Sequence, residues 1–308
     1  MARSADMVPA PAGGPRPGPE HRRTPSAGPR TPVPAWLDGG PAPLEPRTFD
    51  ALRGLLHART GIFLAPHKLA MVQSRLNKRL RELGLASYGD YLARLEADAG
   101  GNEWTCFVNT LTTNLTRFFR EEHHFHRLVE WLRRFPALPR PVRVWSAGCS
   151  TGEEPYSIAM VLRAAFPEAG IRILASDLDS AVLAQAMAGV YGLDRVDNLS
   201  PEWLRLAFLK GRGEQNGFVR IRPELGDLVT FRQLNLLQAQ WPQPGSFEAV
   251  FCRNVMIYFN KSTQRELIER FHRTLVPGGL LMVGHSESLL DQALGFEPLG
   301  QTVFRRRD

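Results

Sequence analysis

The chain has 308 residues, 43% of them hydrophobic and 22% charged, which is enough apolar material for two domains or one large domain with additions. No uninterrupted apolar run approaches the roughly 20 residues of a membrane span, and no apolar signal segment opens the chain, so the sequence predicts neither membrane insertion nor secretion. The net charge is +7, but five of the seven excess charges fall between residues 47 and 135, where fourteen Lys and Arg face nine Asp and Glu; this predicts one basic surface and not a generally cationic protein.

Residues 1–46 hold twelve of the 24 prolines, with Gly, Ala and Arg between them. Proline removes backbone donors and few large apolar side chains are present, so a disordered tail is expected. From Phe49 the pattern turns helical. Phe49, Leu52, Leu55 and Leu56 make one apolar stripe, which Thr60-Gly61 ends. After Pro66 a second helix carries Leu69, Val72, Leu76, Leu80 and Leu83 on one face and stops at Gly84. On the same helix Lys68, Arg75 and Arg79 are spaced by seven and four, which sets them in a strip beside the apolar face. A solvated face and a surface for an acidic partner both satisfy that spacing. Tyr88, Tyr91, Leu92 and Leu95 continue the helical region. In LTTNLTRFFR at 111–120, the Asn and Thr side chains either cap a helix beginning near Glu121 or face a crevice from an interdomain segment, together with Arg120.

The next stretch organises the rest. Val142, Val144 and Trp145 have strand character, and the chain then runs through the small residues Ser146 to Gly152 into Glu153, Glu154 and a helix carrying Ile158, Ala159 and Leu162. That is the first unit of a doubly wound α/β sheet, in which ligands sit beyond the carboxyl ends of the strands. Two carboxylates beside the loop would repel phosphates, so the loop suits a ligand with hydroxyls, amines or positive charge. S-adenosylmethionine, a sulfonium with ribose hydroxyls and no phosphate, fits. Ile171–Asp177 reads as a second strand ending in the acid that takes ribose hydroxyls, with Asp179 or Ser180 able to cap the following helix. Gly192–Gly226 interrupts the alternation with a glycine-rich turn feeding Phe218–Arg222, a small antiparallel insertion with an exposed edge. Later strands end at Asn235-Leu236 and at Arg253-Asn254. Thr263 and Glu266 form a capping box for a helix that Pro277-Gly278-Gly279 stops, ahead of a strand over Leu280–Gly284. Cys106, Cys149 and Cys252 are odd in number and lack metal-ligand spacing, so reduced cytosolic thiols and no metal site are expected.

LTTNLTRFFRE at 111–121, VWSAGCSTGEEPYSIA at 144–159, ASDLD at 175–179, FCRNVMIYF at 251–259, PGGLLMVGHSE at 277–287 and the basic helix HKLAMVQSRLNKRLRELGL at 67–85 together resemble the chemotaxis receptor methyltransferases (CheR), over about residues 49–305. The resemblance implies an all-α basic domain at 47–125, then an α/β domain at 126–308 with a doubly wound S-adenosylmethionine-dependent methyltransferase sheet and a small antiparallel β insertion at about 192–228. It implies esterification of glutamates in the cytoplasmic helices of membrane chemoreceptors, with S-adenosylhomocysteine as product, in the cytoplasm at receptor arrays on the inner face of the membrane. By the same resemblance Asn114, Thr116, Arg120, Glu154, Asp177, Asn235, Leu236, Arg253 and Asn254 bind the cofactor, and Arg120 and Tyr258 flank the transferring methyl. Lys68, Arg75 and Arg79 would recognise the acidic substrate, and the insertion resembles a subdomain that can bind a receptor's C-terminal peptide as an extra strand. A glutamate carboxylate, with a free pKa of about 4.3, is already ionised near neutrality and needs no general base. A nucleic-acid methyltransferase would need an acidic-Pro-Pro-aromatic loop or a catalytic Cys; Arg253-Asn254-Val255-Met256 supplies neither, so no nucleic-acid partner is expected. The alternative, a non-catalytic receptor-binding module that only responds to S-adenosylmethionine, is counted against by the intact Arg120, Asp177 and Tyr258.

Overall fold

The computed structural model describes residues 42–98, 101–135, 141–242, 246–287 and 295–307. Most of the Pro-rich tail expected over residues 1–46 lies outside these. Leu44 already belongs to the core: its side chain is buried and its N–H donates to Gln73 Oε1 at 3.0 Å. Four helices follow, α1 (Pro46–Thr60), α2 (Leu69–Leu83), α3 (Tyr88–Ala97) and α4 (Asn102–Leu111). The stripes read from the sequence meet in one core, where Leu52, Leu56, Val72, Leu76, Leu80, Tyr91 and Phe107 are buried. Gly84 ends α2 in the left-handed conformation (φ 65°), as a glycine at that position allows.

α5 (His123–Leu132) packs against the second domain, its Phe125, Leu128 and Leu132 sharing a core with Val144 and Phe251. That domain runs β1 (Val142–Ala147), α6 (Glu153–Ala165), β2 (Ile171–Asp177), α7 (Ser180–Ala188), β3 (Val190–Gly192), α8 (Pro201–Ala207), β4 (Phe208–Lys210), β5 (Phe218–Ile221), α9 (Pro223–Gly226), β6 (Val229–Gln233), β7 (Phe247–Cys252), α10 (Lys261–Thr274), β8 (Leu275–Val283), β9 (Phe296–Pro298) and β10 (Val303–Arg306). Seven strands form one sheet in the order β6-β2-β1-β7-β8-β10-β9. The first five are parallel, and β10 and β9 add antiparallel. Helices cover both faces, so the central strands β1 and β7 are buried nearly throughout, while edge strand β6 stays partly exposed. Val142, Val144, Phe251 and Met282 enter one core, while their neighbours Trp145, Val250 and Val283 enter the other with Phe271 of α10. The chain order reverses at β1, with β2 and β6 on one side and β7 and β8 on the other. A ligand crevice opens at such a reversal, beyond the carboxyl ends.

β3, β5 and β4 form a separate antiparallel sheet with β5 in the middle. It begins at Val190, slightly ahead of the expected insertion. Two local expectations are corrected. Asn260, not Thr263, caps α10: its Oδ1 accepts the Thr263 N–H at 2.9 Å, which puts the Thr263/Glu266 pair inside the helix. β8 starts at Leu275 directly after the helix, and its Pro277-Gly278-Gly279 stretch falls where the register against β7 shifts.

Candidate active site

A cavity of about 450 Å³ lies beyond the carboxyl ends of β1, β2, β6 and β7, roofed by the helical domain. That volume is within the range of small-ligand sites. At its floor Gly148 has φ 92°, and a Cβ there would stand 2.3 Å from Val255 Cγ2, so only bare backbone fits.

Asp177 ends β2 at this floor. Its two oxygens accept the N–H groups of Ser150 at 2.8 Å and Asp179 at 3.0 Å, yet burial pushes its pKa up. The remaining lone pairs can take hydroxyl donors. Asp179 is the helix cap: one oxygen accepts the N–H groups of Ala181 at 2.9 Å and Val182 at 3.2 Å. The other accepts the Thr112 hydroxyl at 2.8 Å and the Asn114 amide at 2.9 Å. Asn114 is thus tied to the sheet and does not cap α5, which has no side-chain cap. Thr116 borders the cavity, and its carbonyl accepts from Arg195 at 3.3 Å.

Glu154 sits at the opposite wall, in the first turn of α6. Its oxygens accept the Ser146 hydroxyl at 2.7 Å and Arg253 Nη1 at 3.0 Å. Burial pushes its pKa up, against the pull of Arg253. The Arg253 side chain is 2% exposed, pairs also with Glu121 at 3.4 Å, and donates to the Arg120 carbonyl. Arg253, expected among the cofactor contacts, lines the cavity and holds Glu154 and the Arg120 backbone in place. Asn235 is likewise engaged, donating to the Arg59 carbonyl at 2.8 Å and accepting from Leu237 N at 2.9 Å. Leu236 forms buried apolar wall. Asn254 takes a left-handed conformation (φ 58°) at the end of β7.

Arg120 and Tyr258 stand at the mouth. Arg120 Nη1 donates to the Leu115 carbonyl at 2.6 Å, leaving its other donors for a ligand. The Tyr258 hydroxyl donates to the Thr113 carbonyl at 3.3 Å, and burial pushes its pKa up, so it is a donor and not a base. Cys149 and Cys252 are buried and burial pushes both thiols up, which removes them as nucleophiles.

The basic strip expected on α2 does not form as one free surface. Lys68 is exposed on the cavity rim. Arg75 instead turns inward and donates to the carbonyls of Leu111 at 2.9 Å and Thr112 at 2.7 Å, neutralising the carboxyl end of α4. Arg79 forks onto buried Glu103 at 2.9 and 2.6 Å and also pairs with Glu82 at 2.9 Å. Around the mouth stand the exposed Phe63 and Ile257, at 52% and 49%, and Leu115 at 76%, beside the exposed Arg117.

Residues 47–112 match the family model described as CheR methyltransferase, all-alpha domain, and residues 114–305 match CheR methyltransferase, SAM binding domain. The chain belongs to the CheR methyltransferase family. It is 50% identical over 258 residues to the chemotaxis protein methyltransferase of Salmonella typhimurium, covering 83% of this chain and 88% of that one. It is 48% identical to that of Klebsiella aerogenes over 264 residues (85% and 90%) and 48% identical to that of Escherichia coli over 258 residues (83% and 89%).

As a CheR methyltransferase the protein uses S-adenosylmethionine, and the donor set fits it. Buried Glu154 and half-buried Asp177, both with pKa values raised by desolvation, favour a ligand that brings hydroxyl donors to one and positive charge to the other. The sequence reading assigned no role to Glu287. Its buried carboxylate accepts the N–H groups of Gly284 at 2.6 Å, Asn254 at 2.8 Å and Ile257 at 3.2 Å, and so pins the segment carrying Asn254 and Tyr258 to the end of β8. The one hint in the sequence is an acid three residues past a strand-ending glycine, inside a motif read only for its resemblance.

Proposed function

We propose that this methyltransferase esterifies glutamate side chains on the cytoplasmic helices of chemoreceptors. One cavity carries, at its floor, acids suited to the cofactor and, at its mouth, an arginine and a tyrosine with unspent hydrogen-bonding capacity; that arrangement carries the reading. Bound S-adenosylmethionine supplies an electrophilic methyl group that an ionised carboxylate can take without a base. Arg120 offers a planar fork that orients a carboxylate, and Tyr258 donates beside it. Rate then comes from alignment, since the Arg120 backbone is held by Arg253 and the Tyr258 segment by Glu287.

The acidic substrate is drawn by Lys68 and Arg117 at the rim, which replace the α2 strip as the available cations, and its apolar positions meet Phe63, Leu115 and Ile257. The β3-β5-β4 sheet is proposed to take a receptor C-terminal peptide as a fourth strand. Exposed Leu209 and Phe218, at 42% and 47%, would receive its side chains.

The deciding experiment incubates the protein with methyl-labelled S-adenosylmethionine and receptor cytoplasmic fragments. Label released as methanol by mild base, and absent when the substrate glutamates are alanine, supports the reading. Base-stable label, or label in nucleic acid, refutes it.

A further inference from the structure

Glu121 pairs with one nitrogen of the Arg253 guanidinium, Glu154 with the other, and Glu121 groups with His123 and His124. Each offers a ligand atom, and all three atoms lie within 4.8 Å of one another. His124 is fully buried. Its Nε2 meets the Gln301 carbonyl oxygen at 3.1 Å and Thr302 Oγ1 at 3.0 Å. A carbonyl only accepts, so Nε2 carries the proton and Nδ1 presents a lone pair. That lone pair has no hydrogen-bond partner, and it stands 3.6 Å from Glu121 Oε2, which is ion-paired with the Arg253 guanidinium at 3.4 Å. Two facing acceptors away from water repel one another unless a cation lies between them.

The spacing suits a metal ion. Bonds of about 2.1 Å to a tetrahedral centre set ligand atoms about 3.4 Å apart, close to the observed 3.6 Å. The His123 ring lies 4.1 Å from that of His124, and its Nε2 meets the same Gln301 carbonyl at 3.0 Å. One backbone oxygen therefore orients both imidazoles, as outer partners do for metal-bound histidines. Glu121 and Glu154 flank the single Arg253, which leaves a net negative charge for a cation to neutralise.

We propose that Glu121, His123 and His124 bind a divalent first-row transition metal ion of borderline softness, such as Zn²⁺, Co²⁺ or Ni²⁺, with a remaining position open to water. The ion shares Glu121 with Arg253, and Arg253 in turn holds Glu154, so occupancy is coupled to the wall of the cofactor cavity.

The test titrates the chelator-stripped full chain with Co²⁺, followed by ligand-field absorption, and with Zn²⁺, followed by calorimetry. One ion per chain is expected. His123→Ala should weaken its binding more than about tenfold. His126→Ala, at the exposed Glu122–His126 pair, and Cys106→Ser should leave it unchanged. Glu121→Gln gives a second reading should His123→Ala fail to fold by circular dichroism. No saturable binding to the unmodified chain, binding unaffected by both site variants, or equal loss in Cys106→Ser overturns the proposal.

Discussion

Glu287→Gln isolates what a single buried carboxylate does for the site. The native side chain is 5% exposed and receives three backbone N–H groups, from Gly284, Asn254 and Ile257. A glutamine keeps one acceptor oxygen and turns an NH₂ donor toward at least one of those N–H groups. Hydrogen bonds to a charged acceptor contribute about 1.5–3 kcal/mol each. Burial already pushes the Glu287 pKa up, so neutralising it returns part of that loss. The net cost comes to about 2 kcal/mol, read as a lowered urea midpoint with unchanged slope. Because the freed segment carries Asn254 and Tyr258, affinity for S-adenosylhomocysteine by calorimetry and kcat for methyl transfer should both fall by about tenfold or more. A variant with native midpoint, affinity and kcat would show that the segment holds its shape without Glu287.

Arg120→Ala should nearly abolish methyl transfer while moving the unfolding midpoint little, since its side chain bonds to the exposed Leu115 region and its backbone contacts survive the substitution. Arg79→Ala strips the cationic partner from buried Glu103, leaving it the Tyr91 hydroxyl, and should cost about 3 kcal/mol in urea unfolding, insensitive to salt; Arg75→Ala should likewise act on stability and not on KM. Lys68→Glu and Arg117→Glu should raise KM for receptor at low ionic strength, an effect that fades as salt screens the rim. Burial, helped by Arg253 and His123, depresses the His124 pKa to about 3 from 6.5. Between those values the unfolded chain binds the extra proton, so this contribution is whole above about pH 6.5 and lost as pH falls. Urea unfolding of metal-free protein should weaken by about 1.4 kcal/mol per unit below 6.5, with a flatter dependence in His124→Gln.

The features written in contiguous residues could be read ahead of the structure. The strand, small-residue loop and helix at 142–162, the acid at the end of β2 and the apolar stripes of α1 and α2 each follow from local periodicity. What escaped depends on partners far along the chain. Arg75 and Arg79 share a helix side with Lys68 by spacing, but their carbonyl and carboxylate partners lie on α4, and no periodicity in α2 reveals them. Thr263 with Glu266 satisfied a capping pattern, but Asn260 stands three residues earlier and has the better side chain for the role. Glu287 takes its meaning from three backbone groups, which no residue-type pattern encodes.

The roof of the cavity is stitched to its floor on more than one flank. Asn235 reaches the Arg59 carbonyl, Phe63 N–H meets the Tyr258 carbonyl at 2.7 Å, and Thr112 and Asn114 both grip Asp179. Separating the halves would break all of these seams together. With the halves already joined in this way, a covalent staple between them should leave turnover intact.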